Sequence, residues 1–332
     1  MTQPNLIDPF GRRVHYLRLS VTDRCDFRCR YCMAEDMTFL PRDQVLSLEE
    51  LAVVAKVFRQ LGGDKLRVTG GEPLIRRDVL QLFQTLGSLG FADLSLTTNG
   101  ARLKDFAQPL VDAGVHRVNI SLDSLQPECF RDITRTGDLQ QVLAGIEAAR
   151  QAGFRRIKLN VVVMRHFNLD EVLPLTHFAL ERGMDISFIE EMPLGDIDGH
   201  VRRDEFVSSD ELRDLLDPHF SLSPVPDTTG GPARYWAAKG YANRLGFISP
   251  HSHNFCASCN RVRVSAEGRI LLCLGNEHSA DLRSVLRTGP VEEREERLTQ
   301  AMVAALRLKP ERHHFNLDEP PQILRFMNAT GG

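Results

Sequence analysis

Between Val14 and Pro193 the chain alternates short β-prone runs with helical ones, six times over. No other feature of its 332 residues constrains the fold as much. His15-Tyr16-Leu17-Arg18-Leu19-Ser20 alternates with period two. A helix is predicted over 48–61, with Ser47 as N-cap, Glu50 at the third helical position and Gly62-Gly63 as stop. Further strands are predicted over Leu66–Thr69, Leu94–Thr97, Val118–Leu122, Ile157–Val163 and Ile186–Ile189. Helices near 78–89, 103–113, 139–152 and 171–182 separate them. Such alternation implies parallel strands joined by right-handed crossovers. Six units are too few for an eight-stranded barrel, which leaves a partial barrel or an open doubly wound sheet. Either architecture puts its active site at the C-terminal ends of the strands.

Those ends carry unusual residues. Thr22-Asp23-Arg24-Cys25 follows the first strand, Gly70-Gly71-Glu72-Pro73 the second, Thr98-Asn99-Gly100 the third, Asp123-Ser124 the fourth and Glu190-Glu191-Met192-Pro193 the sixth. Residues 1–194 therefore read as one domain. Residues 195–240, richer in Gly, Pro and charge, read as a connecting region with a short helix near 210–216. Residues 241–332 read as a C-terminal region with a charged helix near 292–308.

The seven cysteines are clustered. Cys25, Cys29 and Cys32 have the spacing C-x3-C-x2-C, Cys256, Cys259 and Cys273 the spacing C-x2-C-x13-C, and Cys129 stands apart as a packing residue at a helix start. An odd, clustered set is poor material for a disulfide framework in a chain this long. Three thiolates wrap one face of a four-iron cluster and leave one iron open to an amino-carboxylate ligand. Zinc normally takes a fourth protein ligand. A zinc knuckle at the first group, or a zinc ribbon at the second using His251, His253 or His278, is the competing arrangement.

Phe10-Gly11-Arg12, then Tyr16-Leu17-Arg18-Leu19-Ser20-Val21-Thr22-Asp23-Arg24-Cys25, resembles the opening of the GTP 3',8-cyclase family of radical S-adenosylmethionine enzymes. The likeness runs from about residue 8 to Gly332. Asp26 and Ala34 stand where the family usually has Asn and Pro, and neither position is a cluster ligand. The resemblance implies a partial (β/α)6 TIM-like barrel with a C-terminal cluster-binding extension. It implies two [4Fe-4S] clusters, on Cys25, Cys29 and Cys32 and on Cys256, Cys259 and Cys273. It implies S-adenosyl-L-methionine held by Tyr31, Gly71, Ser121 and Met192, and a C-terminal Gly331-Gly332 that enters the active site and supports catalysis. The implied reaction uses a 5'-deoxyadenosyl radical to convert GTP to (8S)-3',8-cyclo-7,8-dihydroguanosine 5'-triphosphate, opening molybdenum cofactor biosynthesis.

The residues themselves add a basic pocket. Arg261 and Arg263 are two apart and share one strand face. Arg18, Arg67 and Lys158 lie within strands, where charge is costly unless it faces the mouth or a ligand. With Thr98 they match family positions that contact GTP. No Walker-type Gly-x4-Gly-Lys-Ser/Thr segment is present, so this is not a P-loop site. The 41 Lys+Arg, of which 35 are Arg, balance 44 Asp+Glu to a net charge of −3, which excludes a chain-wide nucleic-acid footprint. No apolar run approaches the ~18–20 residues of a membrane span, and Met1-Thr2-Gln3-Pro4 opens no recognisable targeting peptide. The expectation is a cytoplasmic enzyme without membrane partner. It needs an electron donor and passes its product to a cyclic pyranopterin monophosphate synthase; the family also makes a homodimer plausible.

Overall fold

The computed structural model describes residues 6–197, 199–226, 231–319 and 321–331. The six expected strands form as β1 (Tyr16–Ser20), β2 (Lys65–Thr69), β3 (Asp93–Thr98), β4 (Arg117–Ser121), β5 (Arg156–Val162) and β6 (Asp185–Ile189). Six more follow: β7 (Ser223–Val225), β8 (Arg234–Ala237), β9 (Arg244–Ile248), β10 (Arg261–Val264), β11 (Arg269–Leu271) and β12 (Ser279–Asp281). They make one sheet in the order β12-β11-β10-β1-β2-β3-β4-β5-β6-β9-β8-β7.

The first six strands are neighbours in sequence order and parallel, as helical crossovers require. Two further parallel strands come from the C-terminal half. β10 lies beside β1 and β9 beside β6, giving an arc of eight parallel strands. Antiparallel β11 and β8 occupy its two edges, so the arc stays open as a partial barrel. Residues 195–240 supply β7, β8 and the helix Ser209–Phe220. That helix runs longer than its expected short form. Ser208 caps it by accepting the Glu211 N–H at 3.2 Å, a Ser-x-x-Glu start signal.

Strand parity decides what goes where. Leu17, Leu19, Leu66, Val68, Leu96, Val118, Ile120, Leu159 and Val161 point to the helices and are fully buried. Each removes apolar surface worth about 1.5–3 kcal/mol from water. The helix Leu48–Gln60 packs against β1 and buries Leu51, Val54, Ala55 and Phe58, and Ser47 and Glu50 form the expected capping box at its start. The opposite parity carries Arg18, Arg67, Thr97, Asn119, Ser121, Lys158 and Asn160, which line the concave side.

Candidate active site

The concave face of the arc holds a cavity. Its cationic wall comes from strand register. Arg18 on β1 pairs with Arg263 on β10 and with Arg67 on β2, so three guanidiniums stand in one row across adjacent strands. Tyr16 pairs with Arg261 one step below, and Lys158, in register with Asn119, faces the same space. Like charges opposite one another on neighbouring strands repel. Burial, then Arg263 and Arg67, holds the Arg18 guanidinium well below its ordinary range. Burial and Arg261 bring Arg263 down to about 10. Burial pushes the Tyr16 phenol up, but Arg67, Arg18 and Arg261 outweigh it and leave it below its usual value. Between these bases, Thr97 Oγ1, Asn119 Nδ2 and Asn160 Oδ1 are buried without a hydrogen-bond partner. Leaving such groups unmet costs about 1–3 kcal/mol each. A cavity with this lining is built for a polar anion.

The two cysteine groups lie on different elements of this site. Cys256, Cys259 and Cys273 line the cavity, on and around the β10–β11 hairpin that Asn260–Ser265 and Gly268-Arg269 form. Arg12 of the Phe10-Gly11-Arg12 segment donates to the Cys256 carbonyl at 2.8 Å, tying the chain start to this group. Cys25, Cys29 and Cys32 lie in the loop after β1 and are half-buried. Tyr31, within that loop, lines the cavity and donates its hydroxyl to Asp123 at 2.8 Å. Asp123 also accepts the Val162 N–H at 2.8 Å, which fixes the Tyr31 ring against β5. Ser121 and Met192 line the same end. Gly71 lies behind the first cysteine loop. Its N–H donates to Thr22 O at 2.8 Å, and a Cβ there would run into the Arg24 carbonyl. Only glycine lets the two strand-end loops approach this closely.

The donor chemistry fits iron–sulfur clusters. The Phe27 N–H donates to Cys25 Sγ at 3.4 Å. Burial drives the Cys29 thiol well up and the Cys32 thiol to about 12, the Asn328 N–H pulling Cys32 partly back. Three half-buried sulfurs within one eight-residue loop make a donor set that suits the open face of a four-iron cluster. At the second group, Arg261 and Lys309 outweigh burial and bring Cys259 below its ordinary value. Among the described residues no three His, Cys, Asp or Glu side chains converge on a point that one metal ion would fill. The zinc alternative also loses two of its histidines. His251 Nε2 lies 2.8 Å from the Glu191 carbonyl and His253 Nε2 2.8 Å from Asp210.

One expected site residue, Thr98, differs in placement. Thr98 does not line the cavity: its hydroxyl donates to the buried Glu72 at 2.9 Å. On β3, Leu94 and Leu96 face the helices, so Thr98 shares their parity and Thr97 takes the cavity position. Gly331 is buried with φ +76°. Its carbonyl accepts from Arg263, and a Cβ on it would collide with Thr69 at the end of β2. The tail is anchored on the way in by Met327 N–H to Cys32 O at 3.2 Å and Asn328 Nδ2 to Asp23 O at 2.8 Å. Gly332 lies outside the described residues. Cys129 sits in the first turn of the helix Pro127–Thr134, its thiol 3.2 Å from the Phe167 carbonyl. Sequence reasoning passed over Tyr16, Thr97, Asn119, Lys309 and His313. Parity with Arg18 and Lys158 would have found the first three. His313 packs at 4.4 Å from the Phe315 ring, with its Nε2 buried and unpartnered.

Comparison with known proteins agrees with this architecture. The Radical SAM superfamily model matches residues 19–179 and the Molybdenum Cofactor Synthesis C model residues 184–315. A GTP 3',8-cyclase of Saccharophagus degradans is 62% identical over 333 residues, covering all of both chains. This chain belongs to the GTP 3',8-cyclase family. A second member, from Marinobacter nauticus, is 59% identical, again over the full length of both chains. Streptococcus suis SuiB, solved bound to S-adenosylmethionine, shares the fold with a TM-score of 0.60 at 13% identity, covering 96% of this chain and 78% of its own. Membership of the radical S-adenosylmethionine superfamily brings that cofactor and an iron–sulfur cluster to the cyclase fold. No helix among the described residues is long and apolar enough to cross a membrane.

Proposed function

We propose that this chain is a GTP 3',8-cyclase, a lyase that converts GTP to (8S)-3',8-cyclo-7,8-dihydroguanosine 5'-triphosphate in the first step of molybdenum cofactor biosynthesis. One observation carries the reading: the Arg263–Arg18–Arg67 row, in register across β10, β1 and β2, inside a cavity lined by a cysteine triplet. A triphosphate is the anion that such a row neutralises, and guanidiniums bind phosphate oxygens in pairs.

In this reading Cys25, Cys29 and Cys32 hold one [4Fe-4S] cluster, and Cys256, Cys259 and Cys273 hold a second. Tyr31, Ser121 and Met192 receive S-adenosyl-L-methionine from the cavity side, with Gly71 behind the cluster loop. When bound, these groups would supply radical chemistry at the ribose of the nucleotide. Arg18, Arg67, Lys158, Arg261 and Arg263 hold the triphosphate and so set where the ribose rests. Thr97 and Asn119 offer unmet polar groups to the nucleotide, while Thr98 orders Glu72 and the Gly-Gly-Glu-Pro loop behind them. Gly331 lays its carbonyl on Arg263 and helps keep water out of the reacting volume. An electron donor must act on the first triplet, and the cyclised nucleotide passes to a cyclic pyranopterin monophosphate synthase.

The deciding assay is anaerobic incubation with GTP, S-adenosylmethionine and a strong reductant. The expected products are 5'-deoxyadenosine and the cyclised nucleotide, from a protein carrying about eight irons. Zinc without iron, or neither product from the iron-loaded chain, overturns the reading.

A further inference from the structure

Lys309 follows the helix Arg294–Leu306 and is 3% exposed. Its Nζ donates to Leu272 O at 2.5 Å, to Arg261 O at 3.1 Å and to Cys259 Sγ at 3.5 Å. An ammonium has three N–H donors, and all three are engaged. Two of the acceptors are backbone carbonyls flanking the β10–β11 hairpin, so Lys309 straps that hairpin together. A strap alone gives no reason for a charge. Burying an ammonium costs several kcal/mol unless an anion answers it, and both carbonyls are neutral. The answering group is the sulfur. Residue choice points the same way. In a chain with 35 Arg and 6 Lys, the buried cation here is a Lys. A guanidinium would bring five donors to three acceptors and leave two unmet.

The first triplet has opposite surroundings. There the largest charges acting on Cys25 and Cys29 are the carboxylates of Glu72, Asp26 and Asp123 together with the neighbouring sulfurs, and Arg28 of the same loop donates to the Cys25 carbonyl at 2.6 Å. An electron added to a cluster adds negative charge, which a nearby cation and a hydrogen bond to sulfur stabilise.

We propose that Lys309 tunes the second cluster: its ammonium, bonded to Cys259 Sγ, makes a cluster on Cys256, Cys259 and Cys273 easier to reduce. This is a positioning and tuning role, and it rests on the reading that the second triplet holds iron and sulfide.

The test uses the full chain carrying C25S, C29S and C32S, reconstituted anaerobically so that only the second cluster contributes, in an EPR-monitored redox titration. Lys309→Met should lower the reduced-to-oxidised ratio at the parent midpoint about tenfold, a downward shift of about 59 mV for one electron. Lys309→Arg, which keeps the charge, should recover most of it. An unchanged midpoint in Lys309→Met overturns the inference, leaving only the strap. If Lys309→Met fails to hold its cluster, Lys309→Gln, which keeps a donor without charge, must show the same lowering, and a parent-like midpoint there overturns it. If the triple-Ser parent binds no iron while the unmodified chain does, the second-cluster reading falls and takes the inference with it.

Discussion

The two cysteine triplets have the same ligand count and opposite electrostatics. The first lies in a strand-end loop beside Glu72, Asp26 and Asp123, and burial raises Glu72 to about 7 and Asp123 to about 6. The second lies on a hairpin beside Arg261, Arg263 and Lys309. Acidic surroundings penalise the extra electron and so favour a strongly reducing centre. Basic surroundings favour a tame one, and serve an anionic nucleotide at the same time. On the proposed reading that each triplet holds a cluster, one thiolate pattern supports two tasks, and the neighbours decide which.

The sharpest way to break this contrast is to remove each triplet. Serine at Cys25, Cys29 and Cys32 should reduce 5'-deoxyadenosine formation to background. Serine at Cys256, Cys259 and Cys273 should leave it measurable but abolish the cyclised nucleotide. Iron should fall from about eight to about four in each, and equal loss of both products in both variants would erase the division of labour. Next in size is Gly331→Val, which needs a strained backbone and a side chain where Thr69 stands. Cyclisation should drop about 10²-fold, as for an ångström-scale misplacement, with 5'-deoxyadenosine formation retained; unaltered cyclisation would show that the tail is only a plug. Arg18→Met removes the middle of the cationic row. KM for GTP should rise about tenfold or more, equivalent to ~1.4 kcal/mol. An unchanged KM would contradict the phosphate role.

Smaller effects separate the second triplet's surroundings from the rest of the fold. Burial, aided by His251, His314 and Arg261, lowers His313 to about 4. The unfolded chain takes up that proton near pH 6.5 and the folded chain does not. Stability linked to His313 should therefore be constant above about pH 6.5 and fall as pH drops toward 4. Thermal melts of His313→Phe should lack that part of the slope, and parallel slopes would refute the assignment. Smallest of all, Ser47→Ala removes the capping box, which touches neither triplet. It should cost ~1 kcal/mol of stability and leave both products unchanged.

The barrel was legible because its helix-facing strand positions are mostly Leu, Val and Ile and its crossovers carry readable starts and stops. The strand at Arg261–Val264 was legible from the two-residue spacing of Arg261 and Arg263. The docking of β9 and β10 onto the two ends of the arc was not, because pairing between distant strands leaves no trace in local periodicity. The guanidinium row depends on that same pairing: Arg18 and Arg67 look like isolated oddities until Arg263 comes into register. Thr98 shows the reverse. A match to a family position placed it at the ligand, while the alternation Leu94-Ser95-Leu96-Thr97 already assigned the cavity to its neighbour.

The β1–β10 ladder has a consequence for assembly. His15 and Asn260, bonded at its base, are 245 positions apart. Contacts this distant in sequence form slowly. Until the last quarter of the chain folds, β1 is an unpaired edge, open to association with other strands. The first of the three thiols in the following loop, Cys25, lies five residues past the end of that edge. The interval in which iron and sulfide reach those thiols most easily is therefore also the interval in which the molecule is most prone to aggregate.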